Sequence, residues 1–163
     1  MNTLTTKMKK HKPSYDEIYM NLAQQIALRS HCVKAQVGAV IAKDTRIVSL
    51  GYNGPPAGTH NCDEEWPETG CERSDQGGSC SLALHAEENA ILYAAKNRVD
   101  LEGTTLYITL SPCLPCARMI YTTKVKKVIF LKSYAEYKGF KRDEGVDFLR
   151  KFGVEVIKYK QEN

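Results

Sequence analysis

Two short runs of metal-seeking residues constrain this chain more than anything else in it: His85-Ala86-Glu87 and Pro112-Cys113-Leu114-Pro115-Cys116. Each falls where the sequence pattern predicts the start of a helix that follows a strand or loop. Cysteines three apart on a helix share one face, so both sulfurs can reach one ion. The partial positive charge of a helix N-terminus favours their thiolate forms. A fold that also brings His85 to this point supplies three protein ligands and leaves a fourth position for water. That is the arrangement of a catalytic zinc, not a structural one. Zinc can lower the pKa of its water from about 15.7 to about 7. Glu87 is then the expected proton carrier, since a fourth protein ligand would close the site. In mid-helix, residues two apart diverge by about 200°. The metal is therefore expected beyond the helix end, where the first turn can wrap it.

The rest of the chain reads as a scaffold for these two runs. Ser14-Tyr15-Asp16-Glu17 has capping-box spacing, and Ile18, Leu22 and Ile26 predict one helix up to about Ser30. Val37 to Ile41 and Arg46 to Tyr52 read as a hairpin turning at Lys43-Asp44. Gly51, Gly54, Pro55, Pro56 and Gly58 are expected to end regular structure. Asn53 to Ser81 is a polar stretch without a clean period, and loops that long inside a domain are usually functional or held in place. A helix is predicted from Leu84 through Ala95, a strand over Thr104 to Leu110, and a helix opened by Pro112. Lys127 to Leu131 reads as a strand, Asp143 to Phe152 as a helix closed by Gly153, and Val154 to Tyr159 as a last strand. Repeated strand–helix units imply an α/β fold, with a central sheet covered by helices on both faces.

Length and charge narrow the function classes. A chain of 163 residues suits one domain, taken here as residues 13–163 with a Cys-rich insertion at about 53–81. No run of about 18 apolar residues exists, so no membrane helix is expected. The segment 1–12 carries Lys7, Lys9, Lys10 and Lys12 and no acid, so its charge equals the whole net charge of +4. It reads as a basic flexible tail without the apolar core of a secretory signal. The balanced remainder argues against a nucleic-acid partner. A cytoplasmic location is expected, where the six cysteines would be ligands, catalytic groups or buried fillers instead of disulfides.

His-x-Glu followed by Pro-Cys-x-x-Cys is the signature of zinc deaminases, with a Glu that is not a ligand. The chain resembles the deoxycytidylate (dCMP) deaminase family within the cytidine deaminase-like fold. The matching segments are Val37-Gly38-Ala39-Val40-Ile41, Gly51-Tyr52-Asn53-Gly54, His85 to Ile91 and Thr109 to Ala117. Free-nucleoside cytidine deaminases usually have Cys where this chain has His85. The tRNA adenosine, guanine and riboflavin-pathway deaminases usually have Glu-Pro-Cys where it has Ser111-Pro112-Cys113.

The resemblance implies a three-layer α/β/α fold with a mixed five-stranded sheet, and hydrolysis of dCMP to dUMP and ammonia, supplying dUMP for thymidylate synthesis. It implies Glu87 as the catalytic proton carrier and His85, Cys113 and Cys116 as ligands of a catalytic zinc. Asn53 would hydrogen-bond the sugar, Ala86 and Ser111 would contact the base, and Tyr134 would pack against the sugar. Arg29 and Lys34 are candidates for the phosphate. Some relatives carry a second, structural zinc, for which Cys32 and Cys62 match ligand positions. Cys71 and Cys80 would complete the set, His60 could substitute, and buried or free thiols are the alternative. The resemblance also implies a homo-oligomer, such as a hexamer, activated by dCTP and inhibited by dTTP. Gly51, Tyr52, Asn53 and Gly54 are the candidate effector segment, with Mg2+ accompanying the nucleotide. Plain turn chemistry would look the same there.

Rival readings keep the chemistry but change the substrate to a nucleoside, a tRNA base or single-stranded DNA. Others make the chain a non-catalytic zinc-binding accessory protein or a redox protein. A redox Cys-x-x-Cys would leave His85 and Glu87 without a task.

Overall fold

Period-two alternation in the strands decides how the layers are built. In this computed structural model, which describes residues 12–71, 80 and 82–160, the strands are β1 (Gly38–Lys43), β2 (Arg46–Tyr52), β3 (Thr105–Leu110), β4 (Lys127–Lys132) and β5 (Glu155–Lys158). They form one sheet in the order β2-β1-β3-β4-β5. The β2-β1 and β1-β3 pairs are antiparallel, whereas β3-β4 and β4-β5 are parallel, so the sheet is mixed. Ala39, Ile41, Leu106, Ile108, Val128 and Phe130 project to one face, and Val40, Ala42, Tyr107 and Ile129 to the other.

Helix α1 (Tyr15–Ala27) covers the second face with Tyr19, Met20 and Ala23. Its start is set as its sequence suggests, with the Ser14 hydroxyl accepting the Glu17 N–H at 3.1 Å. The first face is covered by α3 (Ala86–Lys96), α4 (Leu114–Thr122) and α6 (Glu144–Lys151), through Ala90, Ala94, Ala117, Ile120, Val146 and Leu149. Helices therefore lie on both faces of the sheet. Among the described residues, no helix is long and apolar enough to cross a membrane.

Several local expectations shift. Gly51 does not end regular structure: it lies inside β2, paired with Ala39. The hairpin turns on Asp44 and Thr45, both at positive φ, which matches the twist of the flanking strands. The polar loop contains a one-turn helix, α2 (Cys62–Glu65), and is pinned at its ends by a bridge between Gly54 and Leu84. A second short helix, α5 (Tyr134–Lys138), follows β4 directly. Pro112 does not open a helix; α4 starts at Leu114 and carries Pro115 in its first turn. Gly153 stands at φ 84° just after α6, as a helix-ending glycine should. Of segment 1–12, only Lys12 lies within the described residues.

Gly51 sets the distance between β2 and α3. A Cβ there would stand 2.5 Å from the Ala86 carbonyl oxygen and 2.6 Å from the Ala90 nitrogen, both backbone atoms. Gly51→Ala should therefore cost about 1–3 kcal/mol of stability by overpacking. Urea unfolding followed by circular dichroism measures it, and an unchanged midpoint would contradict this packing.

Candidate active site

The first turns of α3 and α4 meet at the C-terminal ends of β2 and β3. His85 is the N-cap of α3, with extended backbone at φ −73° and ψ 161°. Cys113 is the N-cap of α4, at φ −68° and ψ 167°. Cys116 lies one turn into α4 and is fully buried. Nδ1 of His85 stands 3.5 Å from the Cys113 sulfur and 3.3 Å from the Cys116 sulfur. All three donor atoms lie within 4.8 Å of one another. Among the described residues, this is the one group of three or more His, Cys, Asp or Glu side chains that converges so tightly.

The expected wrapping of a metal by a helix start is what this geometry permits. His85 sits outside the helix and Glu87 inside its first turn, so their side chains need not diverge. Glu88 fastens the cap, its carboxylate accepting the His85 N–H at 2.6 Å. Asn89 ties the same turn to the end of β2 by donating to the Tyr52 carbonyl at 2.6 Å.

The three donor groups shift one another's protonation. The neighbouring Cys116, and after it the His85 ring, hold the Cys113 thiol down at about 4 despite burial. The hydrogen bond to Cys113, reinforced by burial, pushes the Cys116 thiol up. Hydrogen bonding to Cys113 lifts the His85 imidazole to about 9. One nitrogen and two sulfurs from three residues fit zinc and leave one tetrahedral position for water or substrate. Glu87 is only 4% exposed, and burial pushes its carboxyl up to about 7, which suits a group that both takes and gives a proton near neutrality.

A cleft of about 870 Å³ opens onto this group. Its walls include His85, Glu88, Cys113, Cys116 and Tyr134, and its rim carries Lys141 and Arg142. Arg142 is also paired with Asp147 at 3.2 Å. The remaining sequence candidates divide. Tyr134 stands on the cleft wall, with its ring centroid 6.2 Å from that of Phe140. Ser111 is buried behind that wall, its hydroxyl accepting the Tyr134 N–H at 2.7 Å and donating to Asp143. Ala86 is fully buried in the first turn of α3.

Asn53 is buried and braces the loop before β1. Its Oδ1 accepts the Val37 N–H at 2.8 Å and its Nδ2 donates to the Ala35 carbonyl at 2.8 Å. One amide hydrogen is left for a ligand. Gly51 and Tyr52 are strand residues, not part of a turn. Arg29 and Lys34 are absent from the cleft lining.

The other four cysteines gather loosely. Burial raises the Cys62 thiol, and the charges of Cys80, Cys32 and Cys71 raise it further, so all three are its neighbours. Their sulfurs do not converge as the first group does. His60 is 82% exposed and stands 3.9 Å from Glu65.

Residues 13–132 match the family model for the cytidine and deoxycytidylate deaminase zinc-binding region. The chain belongs to this deaminase family. It is 37% identical to the deoxycytidylate deaminase of Mycobacterium phage D29 over 126 residues, covering 74% of this chain and 97% of that protein. Against the deoxycytidylate deaminase of Schizosaccharomyces pombe the identity is 40% over 129 residues, 76% of this chain. The chain spans only 38% and 39% of the lengths of the fission-yeast and Saccharomyces cerevisiae relatives. The dCMP deaminase of cyanophage S-TIM5, in a crystal structure with dCMP and dUMP, superposes with a TM-score of 0.76 at 36% identity. That match covers 91% of this chain and 99% of the phage chain.

Three neighbours of the candidate site carry no motif of their own. Glu88 was readable as the third residue after a cap, but His is an unusual cap. Asp143 reads locally only as a helix start and Gly145 gives no local signal, because their partners are distant in sequence. Gly145 lies so close to the Pro112 carbonyl that no Cβ fits. Gly145→Ala should displace the Pro112–Cys113 backbone and weaken metal retention by about tenfold or more, since metal affinity responds to such supporting contacts. Zinc content after dialysis against a graded chelator series checks this, and wild-type retention would separate Gly145 from the metal group.

Proposed function

We propose that this chain is a zinc-dependent aminohydrolase that converts dCMP to dUMP and ammonia. One observation carries the proposal: the convergence of His85 Nδ1 with the Cys113 and Cys116 sulfurs at two helix starts, with buried Glu87 in the adjoining turn. Similarity to a phage enzyme captured with dCMP and dUMP supports the choice of substrate.

His85, Cys113 and Cys116 hold the zinc, which when bound supplies a Lewis acid that makes water nucleophilic at neutral pH. Glu87 accepts the proton released by the attacking water and delivers it to N3 of the cytosine ring. Glu87 then takes the proton of the new C4 hydroxyl and delivers it to the amine, so that the C4–N bond breaks, ammonia leaves and the oxygen from water remains at C4 as the uracil carbonyl. The N–H of Ala86 belongs to a helix start with no intrahelical acceptor, so it can serve the base. The contact of the Ser111 region with the base rests on the resemblance, since the Ser111 hydroxyl itself is taken up by Asp143 and Tyr134. The remaining amide hydrogen of Asn53 serves the sugar, and the Tyr134 ring closes over it.

A second zinc on Cys32, Cys62, Cys71 and Cys80 belongs to the same proposal, supported by the gathering of the other three cysteines about Cys62. Such a set of thiolates persists in a reducing cytoplasm. Assembly as a homo-oligomer, with dCTP, dTTP and Mg2+ acting at the end of β2, rests on the resemblance alone.

Glu87→Gln should bind zinc normally and lower kcat by about 10² to 10⁴. Ammonia release measured in parallel on dCMP, deoxycytidine, CMP and tRNA tests the substrate. Consumption of another substrate with dCMP untouched would overturn the assignment. Metal analysis should find about two zinc ions per wild-type chain and about one in Cys62→Ala, because a closed four-ligand site fails without one of its ligands. A single zinc in the wild type would remove the second site.

A further inference from the structure

We propose that Asp143 is a positioning residue that fixes the Tyr134 wall of the cleft by holding Ser111 and Ser133 through one carboxylate oxygen. The assignment rests on the deaminase reading only for the identity of the ligand that the cleft accepts.

Asp143 occupies the N-cap position of α6, where an Asp ordinarily accepts an N–H from its own first turn. It makes no such bond here. Oδ2 instead accepts the Ser111 hydroxyl at 2.5 Å and the Ser133 hydroxyl at 2.9 Å. These serines stand on two different loops, one just after β3 and the other just after β4. Ser111 is 2% exposed and Ser133 is 9% exposed, so neither hydroxyl can turn to bulk water for a substitute. Bonds from a hydroxyl to a carboxylate are also about twice as strong as neutral ones.

Each serine passes the constraint on. The Ser111 oxygen accepts the Tyr134 N–H at 2.7 Å, and the Ser133 oxygen accepts the Glu136 N–H at 3.3 Å as the cap of α5. The Ser111 N–H also donates to the Lys132 carbonyl at 2.8 Å. One carboxylate thus ties together the start of α6, the loop leading to Cys113 and the start of the short helix that carries Tyr134. Helix α5 spans Tyr134 to Lys138, too short to hold its own orientation.

The metal group has further support besides Asp143. Cys113 and Cys116 are placed by the start of α4 and by Gly145 against Pro112, and His85 is held by Glu88. Loss of the Asp143 carboxylate should therefore loosen the Tyr134 wall and spare the metal. Substrate binding should suffer more than the chemical step. In Asp143→Asn the amide oxygen still has two lone pairs for the two hydroxyls, so that variant should recover most of the function.

The experiment compares wild type, Asp143→Ala and Asp143→Asn as full-length, zinc-loaded chains. Amide exchange at Tyr134, resolved by NMR, should accelerate by about tenfold or more in Asp143→Ala while the central strands stay protected. The KM for dCMP should rise on the order of tenfold with kcat within about threefold, the signature of lost binding and not lost transition-state contact. Zinc content should not change, and Asp143→Asn should restore both readouts. Unchanged exchange at Tyr134 in Asp143→Ala overturns the proposal. So does a KM that does not move, or a loss of zinc and of strand protection together, which would make Asp143 a general stabiliser. If the wild type leaves dCMP untouched, the deaminase reading fails, and the exchange arm still decides whether Asp143 holds Tyr134.

Discussion

Where two helices begin determines everything else at the candidate site. His85 and Cys113 both leave an extended backbone immediately before a helix, so their side chains project past the helix end instead of along its flank. A helix start carries partial positive charge, which favours anionic ligands at both places. The sheet makes the meeting of the two starts possible. Helix α3 lies on β1 and β2 through Gly51, and α4 is wedged between α3 and α6 over β3 and β4. Both sequence motifs are needed, but only the shared apolar face holds them in register.

Holding charge in that place has a cost, and the surroundings offset it. Burying Glu87 disfavours its ionised form, which is why its carboxyl titrates near neutrality. The polar groups nearby are satisfied: among the described residues, no buried side-chain nitrogen or oxygen lacks a partner. Close backbone approaches at Gly51 and Gly145 remove the slack that would let the two helix starts drift apart.

The parts of this arrangement that were legible in the sequence are the ones with local causes. Ser14 caps its own helix, β2 runs from Arg46 to Tyr52 by its own pattern, and the Cys113–Cys116 spacing follows from one helical turn. Features created through space were not legible. Helices α2 and α5 are a turn or so long, too short to form on propensity alone, and no periodicity announces them. Two prolines flank Cys113, and only the cap geometry decides that Pro115 and not Pro112 lies in the helix. Asp143 reads locally as a plain cap, because its partners Ser111 and Ser133 lie 32 and 10 residues away. Asn53 reads as a ligand contact, yet most of its amide braces Ala35 and Val37.

Placing the reactive atoms at the very beginnings of α3 and α4 divides labour within each helix. The chemistry depends on the opening turn, whereas the later turns only anchor it to the sheet. Outward positions there, such as Leu92, Tyr93 and Tyr121, are exposed. Substitutions on those surfaces can therefore suit new neighbours without altering either helix start.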